Sequence, residues 1–306
     1  MMPVSRPSVT VLLCTHNGER FLREQLDTIL VQQDVDLRIA VRDDGSTDST
    51  RNILQSYAER HENVQPVYAA RAGVPAGYFE LMWSAGHQTD YYAFADQDDV
   101  WAPRKLAEAI RLLERCRAPS LYCSAVELIS DEGKVLGVRR LRNAPATLAT
   151  APIQNVAIGN TIVFTHEVLQ LVRKLPRPVA AIMHDWWMQL LVLGLGGSVL
   201  YDQVPRCGYR QHARNALGFP TGLRSLEAWV AEVVDDDKYQ RCKRQASEMA
   251  VLLRNLAPVD NVELLDSFGS TIQGSAARFM HIKRCPFRAV TLGRWIWYCW
   301  HRMRHG

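Results

Sequence analysis

Three carboxylates crowd into four residues at Asp96-Gln97-Asp98-Asp99, directly after the apolar run Tyr91-Tyr92-Ala93-Phe94-Ala95. Like charges at that spacing repel, and a chain holds them together most readily when a cation neutralises them. Oxygen donors of this kind suit a hard divalent ion, Mg²⁺ or Mn²⁺, which leaves coordination positions for the phosphates of a substrate. Two other polar groups also follow apolar runs: Thr15-His16-Asn17-Gly18 after the first, and Arg42-Asp43-Asp44-Gly45-Ser46-Thr47-Asp48 after the second. The second of these reads equally as a tight turn with a helix cap, because Asp, Gly and Ser favour both.

The elements that must carry these groups alternate. Residues 8–14 form a nearly continuous apolar, β-branched run, the pattern of a strand covered on both faces. Phe21, Leu22, Leu26, Ile29 and Leu30 then recur at helical spacing. A strand at 37–41, a helix with Ile53, Leu54 and Tyr57 capped by Asp48, a strand at 64–68, a helix at 78–85 and a strand at 91–95 continue the rhythm. Pro103 suits the first turn of the helix marked by Leu106, Ile110 and Leu113. Repeated βα units of this length imply a mainly parallel sheet flanked by helices, with ligands bound at the carboxyl ends of the strands where strand order switches. Farther on, strands are expected near 121–129, 156–164 and 198–209, and helices from 223 to about 254 and from 261 onward. The resulting division is a catalytic domain over 1–220 and a helical C-terminal region over 221–306.

The strand with Thr15-His16-Asn17, the Asp43-Asp44-Gly45-Ser46 turn and Phe94-Ala-Asp-Gln-Asp-Asp-Val-Trp101 together resemble family 2 glycosyltransferases of the GT-A fold, a Rossmann-like arrangement. Met183-His184-Asp185-Trp186-Trp187 and Tyr209-Arg210-Gln211-His212-Ala213-Arg214-Asn215 with Gly218 resemble the rhamnosyltransferase-like subgroup that builds bacterial surface polysaccharides such as O-antigen. That resemblance implies a nucleotide-sugar donor (a dTDP-, UDP- or GDP-sugar, with dTDP-rhamnose favoured) and a lipid-linked or oligosaccharide acceptor. It implies that Asp44 takes the base with Thr15 and Asn17 beside it, that Asp96 and Gln97 frame the nucleotide, and that Asp98 ligates the metal with Asp99 behind it. Asp185 becomes the catalytic base of an inverting transfer; by its residue type alone the lesser alternative is a helix N-cap ahead of an amphipathic run over 186–193. His184, Trp186 and Trp187 become acceptor-site residues, one tryptophan forming a wall and the other core, with His184 either orienting the base or packing. His212 either completes the metal shell, donates to a phosphate or is a polar loop residue. Arg210 becomes a phosphate partner through its planar fork. The Gly159-Asn160-Thr161 turn is expected to approach the sugar or the acceptor.

Composition bounds the rest. Hydrophobic residues make up 47% and charged residues 22%, which excludes disorder and collagen-like repetition. Seven cysteines without a CxxC pair read as reduced thiols, and the longest apolar stretch, 186–200, falls short of the roughly 20 residues a bilayer requires. The net charge of +4 conceals a split: after Asp266 the chain has no acidic residue and seven Lys or Arg. From Arg278 onward these basic residues accompany Phe279, Phe287, Trp295, Trp297, Tyr298 and Trp300. This tail reads either as an interfacial helix on the inner face of the cell membrane or as a helix packed on the domain. The expected location is cytoplasmic and peripheral. Nucleic-acid binding is not expected, since the body is acidic and no recognition motif is present. Without GxGxxG or a P-loop, a dinucleotide oxidoreductase and a P-loop NTPase are excluded. A nucleotidyltransferase would carry a Gly-rich basic loop where Thr15-His16-Asn17-Gly18 stands, and a non-catalytic glycan-binding scaffold would have no use for a base.

Overall fold

The computed structural model describes residues 6–86, 88–141, 146–212 and 236–270. Its first third is the expected alternation: β1 (Ser8–Thr15), α1 (Leu22–Leu30), β2 (Asp36–Asp43), α2 (Thr50–Arg60), β3 (Val64–Tyr68), α3 (Ala76–Ser84) and β4 (Tyr91–Ala95). In β1, Val9, Val11, Leu12 and Leu13 are all fully buried, so the unbroken apolar run serves a strand with both faces covered. Asp48 does serve the start of α2, its Oδ1 accepting the Thr50 N–H at 3.0 Å. A two-residue strand β5 (Val100–Trp101) follows, then α4 (Lys105–Leu113), β6 (Ser120–Ser124), β7 (Val126–Ile129), β8 (Val135–Arg139), β9 (Val163–Thr165), α5 (His166–Lys174), α6 (His184–Gly194), β10 (Ser198–Asp202), β11 (Cys207–Arg210), α7 (Asp236–Leu253) and α8 (Val259–Gly269).

Seven strands form one sheet in the order β10-β6-β9-β4-β1-β2-β3, and four form a second in the order β5-β11-β7-β8. In the first sheet only β9 runs antiparallel to its neighbours β4 and β6. Strand β1 lies between β2 and β4, both parallel to it, so the order reverses there and a crevice opens at their carboxyl ends. The loop 96–99 leaves β4 in the first sheet and enters β5 in the second, so the acidic cluster lies at the seam between the two.

The later expectations need correction. The runs 121–129 and 198–209 are each two strands that belong to different sheets. The bend in the first falls at Ala125, whose N–H is taken by Asp202 O at 2.8 Å. The strand expected at 156–164 is mostly not a strand. Gln189 Oε1, on α6, accepts the Val156 N–H at 2.8 Å and the Ala157 N–H at 3.3 Å, occupying groups a sheet partner would need. A short 3-10 turn, Gly159–Thr161, comes before β9. Helix α6 is not amphipathic as read, for every residue in it is buried. One side meets the core of the main sheet and the other meets Cys242, Ala246, Met249 and Leu253 of α7 and Leu265 of α8. These two helices therefore share the catalytic core. The boundary at 220, residues 223–235 and the basic tail lie outside the described residues.

Candidate active site

At the carboxyl end of β1, the side chains expected around the nucleotide tie the strand ends together. Thr15 Oγ1 donates to Gln97 Oε1 at 2.7 Å, and the same oxygen accepts the His16 N–H at 2.9 Å. Gln97 thereby locks the loop after β1 to the loop after β4. Asn17 has a left-handed backbone, φ 49°, and its Oδ1 accepts the Thr47 N–H at 2.8 Å, which fixes the turn after β2. Thr15, Asn17 and Gln97 are thus brought together at one edge.

Asp44 is buried, and its carboxylate accepts the backbone N–H groups of Ala72 at 2.8 Å and Gly73 at 2.6 Å. Arg42 adds an ion pair at 3.1 Å. Burial opposes ionisation there, but these donors outweigh it and hold the carboxyl below its usual value. Asp44 therefore binds the 72–73 loop against the end of β2. Cys14 lies beside it, its thiol pushed up by burial and by the charges of Asp44 and Asp96.

The acidic loop is built from neighbours of unlike environment. Asp96 Oδ1 lies 2.6 Å from the Tyr78 hydroxyl, and burial with the Asp98 charge pushes its carboxyl up. Asp98 meets His212 Nε2 at 2.8 Å, both side chains partly exposed at 17% and 10%. The imidazole stacks on Phe21, ring centres 5.4 Å apart. Asp99 points the other way. It is 1% exposed and accepts a hydrogen bond from Asn160 Nδ2. Below it Lys105, also 1% exposed, places Nζ 3.3 Å from the centre of the Trp101 ring. Burial pulls that ammonium down to about 8, against the pull of Cys207, Asp99 and Asp96. Lys105 was not singled out by sequence, although its place four residues after Trp101 in the helix-start segment kept it close to the acidic loop.

No group of three or more His, Cys, Asp or Glu among the described residues is arranged to hold a metal. The Asp98–His212 pair nevertheless offers one oxygen and one nitrogen donor, partly exposed and side by side. That set fits an ion whose remaining positions are filled by phosphate oxygens and water.

Arg210 is not placed as a phosphate partner. Its side chain is 1% exposed. Nε donates to Asp98 O at 2.9 Å, Nη1 to Ser130 O at 3.1 Å and Asp131 O at 2.7 Å, and Nη2 to Glu24 Oε2 at 2.6 Å. The guanidinium lies over Phe21, 4.6 Å from the ring centre. The planar fork is directed at backbone carbonyls of the site's own loops, and so it holds Asp98 in place from below.

On the opposite wall, Asp185 is the second residue of α6, behind the N-cap Met183, so the N-cap reading does not apply. It is 5% exposed. Burial pushes its carboxyl up to about 7 against hydrogen bonds from the Trp186 N–H, the Asn155 side chain and the Gly159 N–H, with the Asp96 charge adding to the rise. Asn155 is a site residue that sequence reasoning missed; it lies in an irregular segment with no periodicity to mark it. His184 is not exposed to an acceptor. It is 3% exposed, stacked on Tyr78 at 3.8 Å and edge-on to Phe94 at 4.8 Å, and burial drives it down to about 3, a neutral ring. Trp187 is fully buried against Phe79 and belongs to the core. Trp186 is 6% exposed and donates Nε1–H to Ala151 O at 2.6 Å. Neither tryptophan presents an open face.

The strand ends thus hold a polar edge, an Asp–His pair able to accept a cation, and across from them a buried carboxylate poised near neutrality. A family model described as glycosyl transferase family 2 matches residues 10–170, more than half of the chain. The chain is 30% identical over 215 residues to the dTDP-rhamnosyl transferase RfbG of Shigella flexneri, covering 67% of this chain and 73% of that one. Among solved structures it resembles S. aureus TarS 1–349 in complex with UDP-GlcNAc, with TM-score 0.53 and 15% identity over 92% of this chain and 82% of that one. It also resembles the mannosyltransferase PcManGT from Pyrobaculum calidifontis in complex with GDP-Man and Mn²⁺, with TM-score 0.50 and 17% identity over 99% and 88%. At those identities the structural likeness shows the fold, which is GT-A. The chain belongs to glycosyl transferase family 2 and is a glycosyltransferase.

Proposed function

We propose that this glycosyltransferase moves a sugar with inversion from a nucleotide-sugar donor to a lipid-linked glycan, and that the donor is dTDP-rhamnose. The observation that carries the mechanism is the buried carboxylate of Asp185, pushed up to about 7 on the wall facing the acidic loop. A base is most effective when its pKa lies near the working pH, since it is then both ionised and a good proton acceptor. Asp185 removes the proton from the acceptor hydroxyl as that oxygen attacks the anomeric carbon from the face opposite the leaving nucleotide. Asp98 and His212 would hold a divalent cation, which when bound neutralises charge on the departing diphosphate. Thr15, Asn17 and Gln97 shape the edge that receives the nucleoside. Asp44 positions the 72–73 loop beside it. The choice of dTDP-rhamnose rests on the resemblance to RfbG.

The test is a panel of dTDP-, UDP- and GDP-sugars with extracted lipid-linked acceptor, following nucleoside diphosphate release and the anomeric configuration of the product. The expected result is acceptor-dependent dTDP release from dTDP-rhamnose, inverted product, and loss of activity with EDTA that Mg²⁺ or Mn²⁺ restores. Release of UDP or GDP in preference to dTDP would replace the donor, and a retained configuration would remove the mechanism.

We further propose that the basic, aromatic segment from Arg278 brings the enzyme to an anionic membrane surface. No helix among the described residues is long and apolar enough to cross a membrane. In vesicle flotation with phosphatidylglycerol-containing liposomes, the full chain is expected to float and a chain ending before Arg278 to remain in the pellet. Equal behaviour of the two ends this idea.

A further inference from the structure

The Gly159–Thr161 turn touches both walls of the crevice. On one side Asn160 Nδ2 donates to Asp99 Oδ2, in the residue next to Asp98. On the other, Gly159 lies against the Asp185 carboxylate. A Cβ at Gly159 would stand 3.5 Å from Asp185 Oδ2 and 3.0 Å from His184 Nε2, so the turn packs directly against the base. The turn itself is firmly held. Thr161 Oγ1 accepts the Ser124 N–H of β6 at 3.1 Å and donates to Ile158 O at 2.7 Å, and Ile162 O accepts the Phe94 N–H of β4 at 3.2 Å.

Asn160 contributes nothing to that framework through its own amide. It is 1% exposed, and its Oδ1 is buried without a hydrogen-bond partner among the described residues. An apolar side chain would avoid burying this unpaired oxygen, so the amide's one bond, to Asp99, is the feature that distinguishes asparagine here. Asp99 in turn is a buried carboxylate whose charge acts on the buried ammonium of Lys105. The bond thus joins the acidic loop to the turn that carries the base.

We propose that Asn160 is a positioning residue that sets the spacing between the acidic loop and Asp185, acting through its hydrogen bond to Asp99. The proposal rests on the reading of Asp185 as the base. Displacement of reacting groups by about 1 Å costs on the order of 100-fold in rate, so loss of the strut lowers kcat and leaves donor binding, which rests on the strand-end edge and not on Asp185, largely in place.

The experiment compares Asn160→Ala, Asn160→Asp, and the exchanged pair Asn160→Asp with Asp99→Asn. Transfer kcat, donor affinity by calorimetry and Tm are measured for each. Asn160→Ala is expected to lose roughly 10–100-fold in kcat with donor affinity unchanged within error. Asn160→Asp sets two carboxylates face to face and is expected to lose more. The exchanged pair restores a donor–acceptor contact with its direction reversed, and is expected to recover most of the kcat lost in Asn160→Asp. A folded exchanged pair no more active than Asn160→Asp overturns the proposal, as does full kcat in Asn160→Ala. Should Asn160→Ala fail to fold, the comparison of Asn160→Asp with the exchanged pair decides by itself. If Asp185→Asn transfers sugar normally, the base reading falls first. If Asp185→Asn is inactive and Asn160→Ala is fully active, only the strut falls.

Discussion

Asp185→Asn is expected to lower kcat for sugar transfer by roughly 10²–10⁴-fold, the range attributed to a positioned general base, while the chain remains folded. The replacement keeps one oxygen to accept the Trp186 N–H, at 2.6 Å in the native protein, and sets an NH₂ among the remaining donors, Asn155 and Gly159. That mismatch is partly offset because the variant no longer buries an ionised group. The pH behaviour gives an independent check. The carboxylate form is the proton acceptor, so kcat/KM is expected to fall about tenfold per pH unit below an inflection at about 7 and to level off above it. The sign for stability is opposite. A carboxyl raised from its ordinary 3.8 to about 7 on folding contributes stability at low pH, and that contribution is lost as pH rises through about 7. Asp185→Asn should remove this slope from a Tm-against-pH curve together with the activity. Wild-type kcat, or an unaltered pH profile in the residual activity, would mean that another group takes the proton.

The largest expected effect on stability belongs to Arg210→Met. The guanidinium satisfies Asp98 O, Ser130 O and Asp131 O and pairs with Glu24, all while 1% exposed. Glu24 is 53% exposed and can turn to water, so the ion pair itself counts for little. The cost comes from the carbonyls left without donors, each worth about 1–3 kcal/mol, or on the order of 3–5 kcal/mol together. Urea denaturation measures it. Arg210→Lys is expected to rescue only part, because a point-like ammonium cannot serve three carbonyls and a carboxylate at the fork's geometry. A loss below about 1 kcal/mol for the methionine variant would show that these carbonyls find other partners.

Why was Arg210 misread? Its residue type and motif pointed to phosphate, and only the fold shows that β11 runs between β5 and β7 and carries the side chain beneath the acidic loop. The same limit applies to His184, whose burial depends on Tyr78 of α3 and Phe94 of β4, each distant in sequence. The first 100 residues were legible because each strand there pairs with a parallel neighbour that follows the expected alternation, and their apolar runs have a single outcome. Beyond 120 the chain changes sheets twice within short runs, at Ala125 and between β10 and β11, and apolarity alone does not mark a change of sheet. Helix α5 does leave a signal in the sequence, Val168, Leu169 and Val172 at helical spacing. The irregular course of 155–158 left none, since its order comes from Gln189.

Strand β11 has one further consequence, for the order in which the enzyme is assembled. It is the inner strand that joins β5 to β7, and it brings both Arg210 and His212 to the Asp98 loop. On the ribosome, strands β1 to β4 have all emerged once residue 95 has, but neither Arg210 nor His212 can reach the Asp98 loop until residue 212 does. A nascent chain stopped before β11 would therefore lack both contacts that hold the Asp98 loop, and the helix that carries Asp185 stays uncovered until the two C-terminal helices follow.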